Sequence, residues 1–181
     1  MNSIIKQRLS YCKRGILVAI MCSSLFSSIL YAQENINFSS PEHLVSHLYD
    51  QVTFPAGKTP DWDYVRTLFL KEAIVVMRLG PEKTEALTLE GWVLDFENFI
   101  KNYNVKETGF EEKVVKIKSM VFGNIAHVLV LYTSYIPGKS KAPREGVDSF
   151  HLMKQEGRWW IVSILNEIPT KSRPKPEILL D

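Results

Sequence analysis

The chain has 181 residues, 45% hydrophobic and 11% aromatic, with 22 basic and 20 acidic side chains for a net charge of +2. That length suits one domain with a core of its own. The near balance of charge excludes the basic field that nucleic acid requires, and two cysteines exclude a disulfide scaffold.

Lys6, Arg8, Lys13 and Arg14 form a basic head, followed by the apolar run GILVAIMCSSLFSSILYA. This is the layout of a secretory signal peptide over residues 1–32, cut near Ala32. A retained membrane anchor is the alternative, because the run from Gly15 to Ala32 is about the minimum for a span. Four serines interrupt that run and no basic stop follows it. Bulky Ile20 and Met21 before Cys22 argue against a lipid-modified cysteine. Export to the periplasm or medium removes both cysteines, Cys12 and Cys22. It leaves 18 basic residues against 20 acidic ones, a net of −2. Membrane contact is then expected only through an uncleaved signal segment, and no nucleic-acid partner is expected.

The domain is placed at residues 33–169, with a flexible tail at 170–181. Ser39 or Ser40 before Pro41 starts a helix well, since serine caps orphan N–H groups and proline tolerates the first turn. Leu44, Val45, Leu48, Tyr49 and Val52 give it one apolar stripe. A second helix is predicted from Trp62 to Leu70, capped by Asp61, then a short strand from Ala73 to Arg78. A third helix begins at Thr88 and carries an aromatic stripe that includes Trp92, Phe96, Phe99 and Tyr103. Four strands follow: Glu112 to Phe122, Ile125 to Ile136, Gly146 to Lys154, and Arg158 to Glu167. Helices grouped on one side of such a sheet make an α+β domain.

Turns at Gly123-Asn124 and Glu156-Gly157 fix the hairpin registers. Phe122 faces Ile125, and Lys154 faces Trp159. Strict alternation then puts Val115, Ile117, Val121, Val128, Val130 and Tyr132 toward the helices. In the second hairpin it puts Asp148, Phe150, Trp159, Ile161, Ser163 and Leu165 on that same side. Val114, His127, Leu129, His151, Met153, Trp160, Val162 and Ile164 fall on the outer face. An outer face that apolar calls for a covering partner. A second copy of the chain is expected there, making a homodimer.

Gly123, Ala126 and Val128, then Gly146 and Phe150, then Gly157, Trp159 and Ile161 are placed as in the nuclear transport factor 2-like superfamily. Among its branches the chain resembles the SnoaL-like exported proteins, over roughly Ser39 to Pro169. The resemblance implies a cone-shaped α+β domain, a cystatin-like roll. Three N-terminal helices would pack on a strongly curved, mainly antiparallel sheet that often dimerises through its outer face. It also implies either a binding or assembly module or a cofactor-independent enzyme, whose members use an aspartate, histidine or tyrosine in the cone. Fold alone does not choose between these.

The candidate catalytic residues are Asp148, as a general base beside aromatic surface, and Tyr132, as a donor to a developing oxyanion. Salt bridging to Lys141 or Arg144, and core-edge hydrogen bonding, are their structural alternatives. The expected pocket is lined by Tyr64, Trp92, Phe96, Tyr132, Asp148, Phe150, Trp159 and Ser163. No histidine falls on the inner face, which removes one common catalytic residue. His43, His47 and Asp50 have metal-ligand spacing, yet lie opposite the apolar stripe on open surface without a supporting shell. No metal and no cofactor is expected. The leading reading is a non-enzymatic module that binds a small apolar ligand or acts through a dimer surface. The alternative is an isomerase, cyclase or hydrolase of a small hydrophobic substrate, using Asp148 and Tyr132.

Overall fold

The computed structural model describes residues 38–80 and 82–180. The expected signal peptide, its cleavage point, Cys12 and Cys22 lie outside the described residues. Helix α1 covers Pro41–Val52 and α2 Trp62–Arg66. Strands β1 (Phe69–Gly80) and β2 (Lys83–Thr88) follow, then α3 (Leu89–Asn102) and the single turn α4 (Val105–Thr108). The remaining strands are β3 (Glu111–Phe122), β4 (Ile125–Tyr135), β5 (Arg144–Gln155) and β6 (Arg158–Glu167). A 3-10 turn, Glu177–Leu179, ends with Leu179 buried beside β3.

Local chemistry accounts for the helix starts. Ser40 Oγ accepts from the His43 N–H at 3.1 Å, with Pro41 in the first turn. Asp61 caps α2 through the Tyr64 N–H, and Thr88 caps α3 through the Gly91 N–H, both at 3.1 Å. Such caps satisfy donors that have no partner inside the helix. The stripe of α1 (Leu44, Val45, Leu48, Tyr49 and Val52) is buried against β3 and β4. At the hairpins, Glu156 and Gly157 both take positive φ, 53° and 80°, as a type I′ turn requires. Gly123 alone does so at the other turn, with φ 58°.

The six strands run in the order β2-β1-β6-β5-β4-β3. All neighbours are antiparallel except β1 and β6, which are parallel. This corrects the expected architecture in two respects. Two helices, not three, precede the sheet among the described residues, because the β1–β2 hairpin comes before α3. The sheet is also open rather than a strongly curved cone: its edge strands β2 and β3 do not pair with each other. The expected second helix stops at Arg66, and Phe69 and Leu70 begin a strand far longer than Ala73 to Arg78.

Both expected hairpin registers are present: Phe122 pairs with Ile125 and Lys154 with Trp159. Each long hairpin also carries one irregularity. On β3, Val114 pairs with Tyr132 and Lys116 with Leu131, so Val115 is an extra residue. On β6, Ser163 pairs with His151 and Ile161 with Leu152, so Val162 is extra. A bulge of one residue reverses which face every later side chain takes.

Candidate functional site

A cavity of about 240 Å³ lies between the helices and the inner face of the sheet. Leu48, Tyr49 and Val52 come from α1, and Trp92, Asp95, Phe96 and Phe99 from α3. Val75 and Met77 on β1, Phe110 at the entry to β3, Phe150 on β5 and Ile164 on β6 extend its apolar wall. Trp92, Phe96, Phe99 and Phe110 meet edge to face, with centroids 5.5–6.1 Å apart. Such contacts hold large rings in fixed orientations. Glu112, Tyr132, Asp148 and Asn166 form a polar group on the sheet.

Tyr132, Asp148 and Asn166 in that group are joined by hydrogen bonds. The Tyr49 hydroxyl donates to Asp148 Oδ2 at 2.7 Å. The Asn166 amide donates to Asp148 Oδ1 at 2.7 Å and to the Tyr132 hydroxyl oxygen at 2.9 Å. Tyr132 packs against Gly146, its partner across β4 and β5, where a Cβ would overlap the ring. Glycine at this position therefore sets where the Tyr132 hydroxyl sits.

Two carboxyl groups share this site under different conditions. Burial pushes Asp148 up to about 6, while hydrogen bonds from Asn166 and Tyr49 to its charged form oppose the rise. Burial pushes Glu112 up to about 8, and the negative charge of Asp148 adds to the effect. Near pH 7 Asp148 is therefore mainly a carboxylate and Glu112 mainly a carboxylic acid. Both retain some accessible surface because they face the cavity, although protein atoms surround them. Burial also raises the Tyr132 and Tyr49 hydroxyls, so both stay protonated.

The structure brings Trp92, Phe96, Tyr132, Asp148 and Phe150 together around this cavity, and leaves out three other residues expected there. Tyr64 lies on α2, its hydroxyl 2.9 Å from His47 Nε2. Trp159 is buried outside the cavity lining, its indole N–H donating to the Ser39 carbonyl. Ser163 faces the other way, with its Oγ 3.0 Å from His151 Nδ1. The cause is the Val162 bulge, which turns Ser163 and Leu165 outward and Ile164 and Asn166 inward. Ile164, expected on the outer face, is thus a buried cavity residue. The Val115 bulge does the same on β3, exposing Val115 and turning Val114 and Glu112 inward. Asn166 and Glu112 are the functional candidates that alternation alone misses.

On the opposite face, His127 and His151 stack with centroids 5.2 Å apart. Met153 and Val162 lie beside them. Leu129 pairs with Ser149 on the same face, half-buried. Trp160 is half-buried, with the Arg158 guanidinium 3.9 Å from its ring centre. His47 packs on Phe38 and Tyr64, at 5.3 and 5.7 Å, rather than standing free with His43.

The sequence matches no family model and no curated protein. Solved structures do match. A candidate calcium/calmodulin-dependent protein kinase type II association domain from Thiobacillus denitrificans superposes with a TM-score of 0.58 at 12% identity. It covers 74% of this chain and 98% of its own. An NTF2-like protein with a cystatin-like fold from Novosphingobium aromaticivorans gives 0.56 at 11%, covering 77% and 88%. A candidate scytalone dehydratase from the same species gives 0.53 at 12%, covering 71% and 81%. The chain has the nuclear transport factor 2-like, or cystatin-like, fold. At these identities the likeness is one of fold. Within that fold the matched structures include a candidate association domain and a candidate dehydratase, so the activity must be argued from the cavity.

Proposed function

We propose that this nuclear transport factor 2-like chain is a binding module for a compact, mostly apolar molecule with one hydrogen-bond-donating or cationic end. The observation that carries the reading is the Asp148 carboxylate, fixed by Tyr49 and Asn166 beside the aromatic wall. A carboxylate has about four acceptor positions, so two donors leave it able to receive a ligand group. The cavity of about 240 Å³ lies below the ~300–1,000 Å³ of drug-sized sites, which favours a small ring system.

The test is a nuclear magnetic resonance titration with small aromatic fragments that differ only in their polar end. Amine and alcohol fragments are expected to shift Trp92, Phe96 and Tyr132. Matching carboxylates are expected to leave them unmoved, because Asp148 repels a second anion. Equal binding of the carboxylates, or no shifts with any fragment, overturns the reading.

A second reading is favoured by the split carboxyl pair, with Asp148 at about 6 and Glu112 at about 8. Two carboxyls separated in this way supply a base and an acid at one pH. Asp148 would take a proton from a small hydrophobic substrate, and Tyr132 would stabilise the resulting oxyanion. This is the chemistry of an isomerase, cyclase or hydrolase that needs no cofactor. Deuterium uptake into a bound fragment from heavy water separates an enzyme from a binder.

We infer further that the chain is exported, that residues 33–169 are its domain, and that a second copy covers the outer sheet face. Support for the dimer is the exposed apolar surface there, with Phe122 83% and Met120 68% exposed. His127, Leu129, His151, Met153, Trp160 and Val162 belong to the proposed contact.

A further inference from the structure

The cavity between the helices and the sheet is lined by acids and by no base. Asp95 comes from α3, Glu112 from β3 and Asp148 from β5, and no lysine, arginine or histidine joins them. We infer that the ligand is an organic ammonium ion, a protonated amine on an apolar frame of one ring, which supplies the positive charge that no side chain there provides. The inference rests on the reading of the cavity as a ligand site and narrows it to one chemical class.

Two carboxyls show the need for a cation. Asp148 is surrounded by protein, yet both of its hydrogen-bond donors, Tyr49 and Asn166, are neutral. Among the described residues it takes part in no salt bridge. A buried charge without a counter-ion is costly, and an ammonium ion seated against Asp148 removes that cost. Glu112 is also surrounded by protein and faces the cavity. Among the described residues its carboxyl has no hydrogen-bond or ion-pair partner.

The rest of the wall selects an organic cation. Trp92, Phe96, Phe99, Phe110 and Phe150 surround the space with aromatic rings, whose faces attract a cation and whose bulk suits a ring. No group of three acidic, histidine or cysteine side chains among the described residues is placed to hold a metal ion. An alkyl amine, with an ordinary value near 10.4, is charged at neutral pH. Binding should also move a proton. Tyr49 from α1, Asp95 from α3, Tyr132 from β4 and Asp148 from β5 share the cavity with Glu112, and none is basic. The charge of Asp148 helps to keep Glu112 protonated. An ammonium at Asp148 offsets that charge, so Glu112 gives up a proton to solvent as the ligand enters.

The experiment is isothermal titration calorimetry of the full chain at pH 7 with 2-phenylethylamine and 2-phenylethanol, which differ only in the polar end. The amine is expected to bind about tenfold more tightly, because charge-assisted hydrogen bonds are roughly twice as strong as neutral ones. Titration in phosphate and in HEPES, whose ionisation heats differ, is expected to show proton release with the amine and none with the alcohol. Glu112→Gln is expected to abolish the release. That change breaks no side-chain hydrogen bond, and circular dichroism checks the fold. Equal or tighter binding of the alcohol overturns the inference and leaves the cavity reading standing, whereas binding of neither probe overturns both. Amine binding without proton release, or release that persists in Glu112→Gln, also overturns the inference.

Discussion

The Tyr49 hydroxyl and the Asp148 carboxylate are 2.7 Å apart, joining α1 to β5 across 99 positions of sequence. This contact fixes the anionic end of the cavity and ties it to the core helix. Tyr49→Phe removes a donor to the charged form of Asp148, so the carboxyl is expected to rise above its present value of about 6. Carbon-13 titration of the Asp148 carboxyl in parent and variant checks this. An unchanged or lower midpoint contradicts it.

The contribution of Asp148 and Glu112 to stability should fall as pH rises through the acidic and neutral range. Both Asp148 and Glu112 have folded-state values above their ordinary ones, 3.8 and 4.5. Between the unfolded and folded values the native state holds more protons than the unfolded chain, so raising pH favours unfolding. The windows run from 3.8 to about 6 for Asp148 and from 4.5 to about 8 for Glu112. Glu112→Gln is expected to remove most of the slope above pH 6 and to stabilise the protein at pH 8 by up to a few kcal/mol. Urea denaturation at pH 5 and pH 8 reads both effects.

Gly146→Ala should damage the site through Tyr132. The added methyl overlaps the Tyr132 ring, which must move away from Asn166. A cost of about 1–3 kcal/mol is expected, as for other overpacked positions. Adding Tyr132→Leu should recover part of it, since two changes at one contact are not additive. Chemical denaturation of the two single variants and the double variant measures the coupling.

The proposed dimer predicts that Trp160→Glu, or Phe122→Glu at the most exposed apolar position of the face, gives a soluble monomer. Sedimentation velocity reads the change directly. A parent that sediments as a monomer, or a variant that remains a dimer, removes the second copy from the account.

The sequence was legible where a local rule operates alone. A serine cap before Pro41, the Asp61 cap, the start of α3 at Thr88, the stripe of α1 and both hairpin registers follow from residue type and period. The separation of Trp159 from Trp160 follows from the same alternation, one buried and the other half-exposed. Legibility ended at Val115 and Val162. Neither valine carries a bulge signal such as glycine, yet each shifts the pairing by one residue and reverses the faces beyond it. Counting by twos across them exchanges Ser163 for Ile164 and hides Glu112 and Asn166. Strand β2 was equally hidden, since KTEALT is mostly exposed edge with no alternating apolar face. Its hairpin with β1 placed α3 after two strands, and the openness of the sheet is a property of strand order that no single segment encodes.

The central claim is that the cavity beside Asp148 holds a small ligand. The most direct measurement is a native mass spectrum of the protein isolated from its own host, compared with the Asp148→Leu variant prepared in the same way. The account predicts a discrete small-molecule adduct on the parent that is lost in the variant. An empty parent, or an adduct retained in full by the variant, would contradict it.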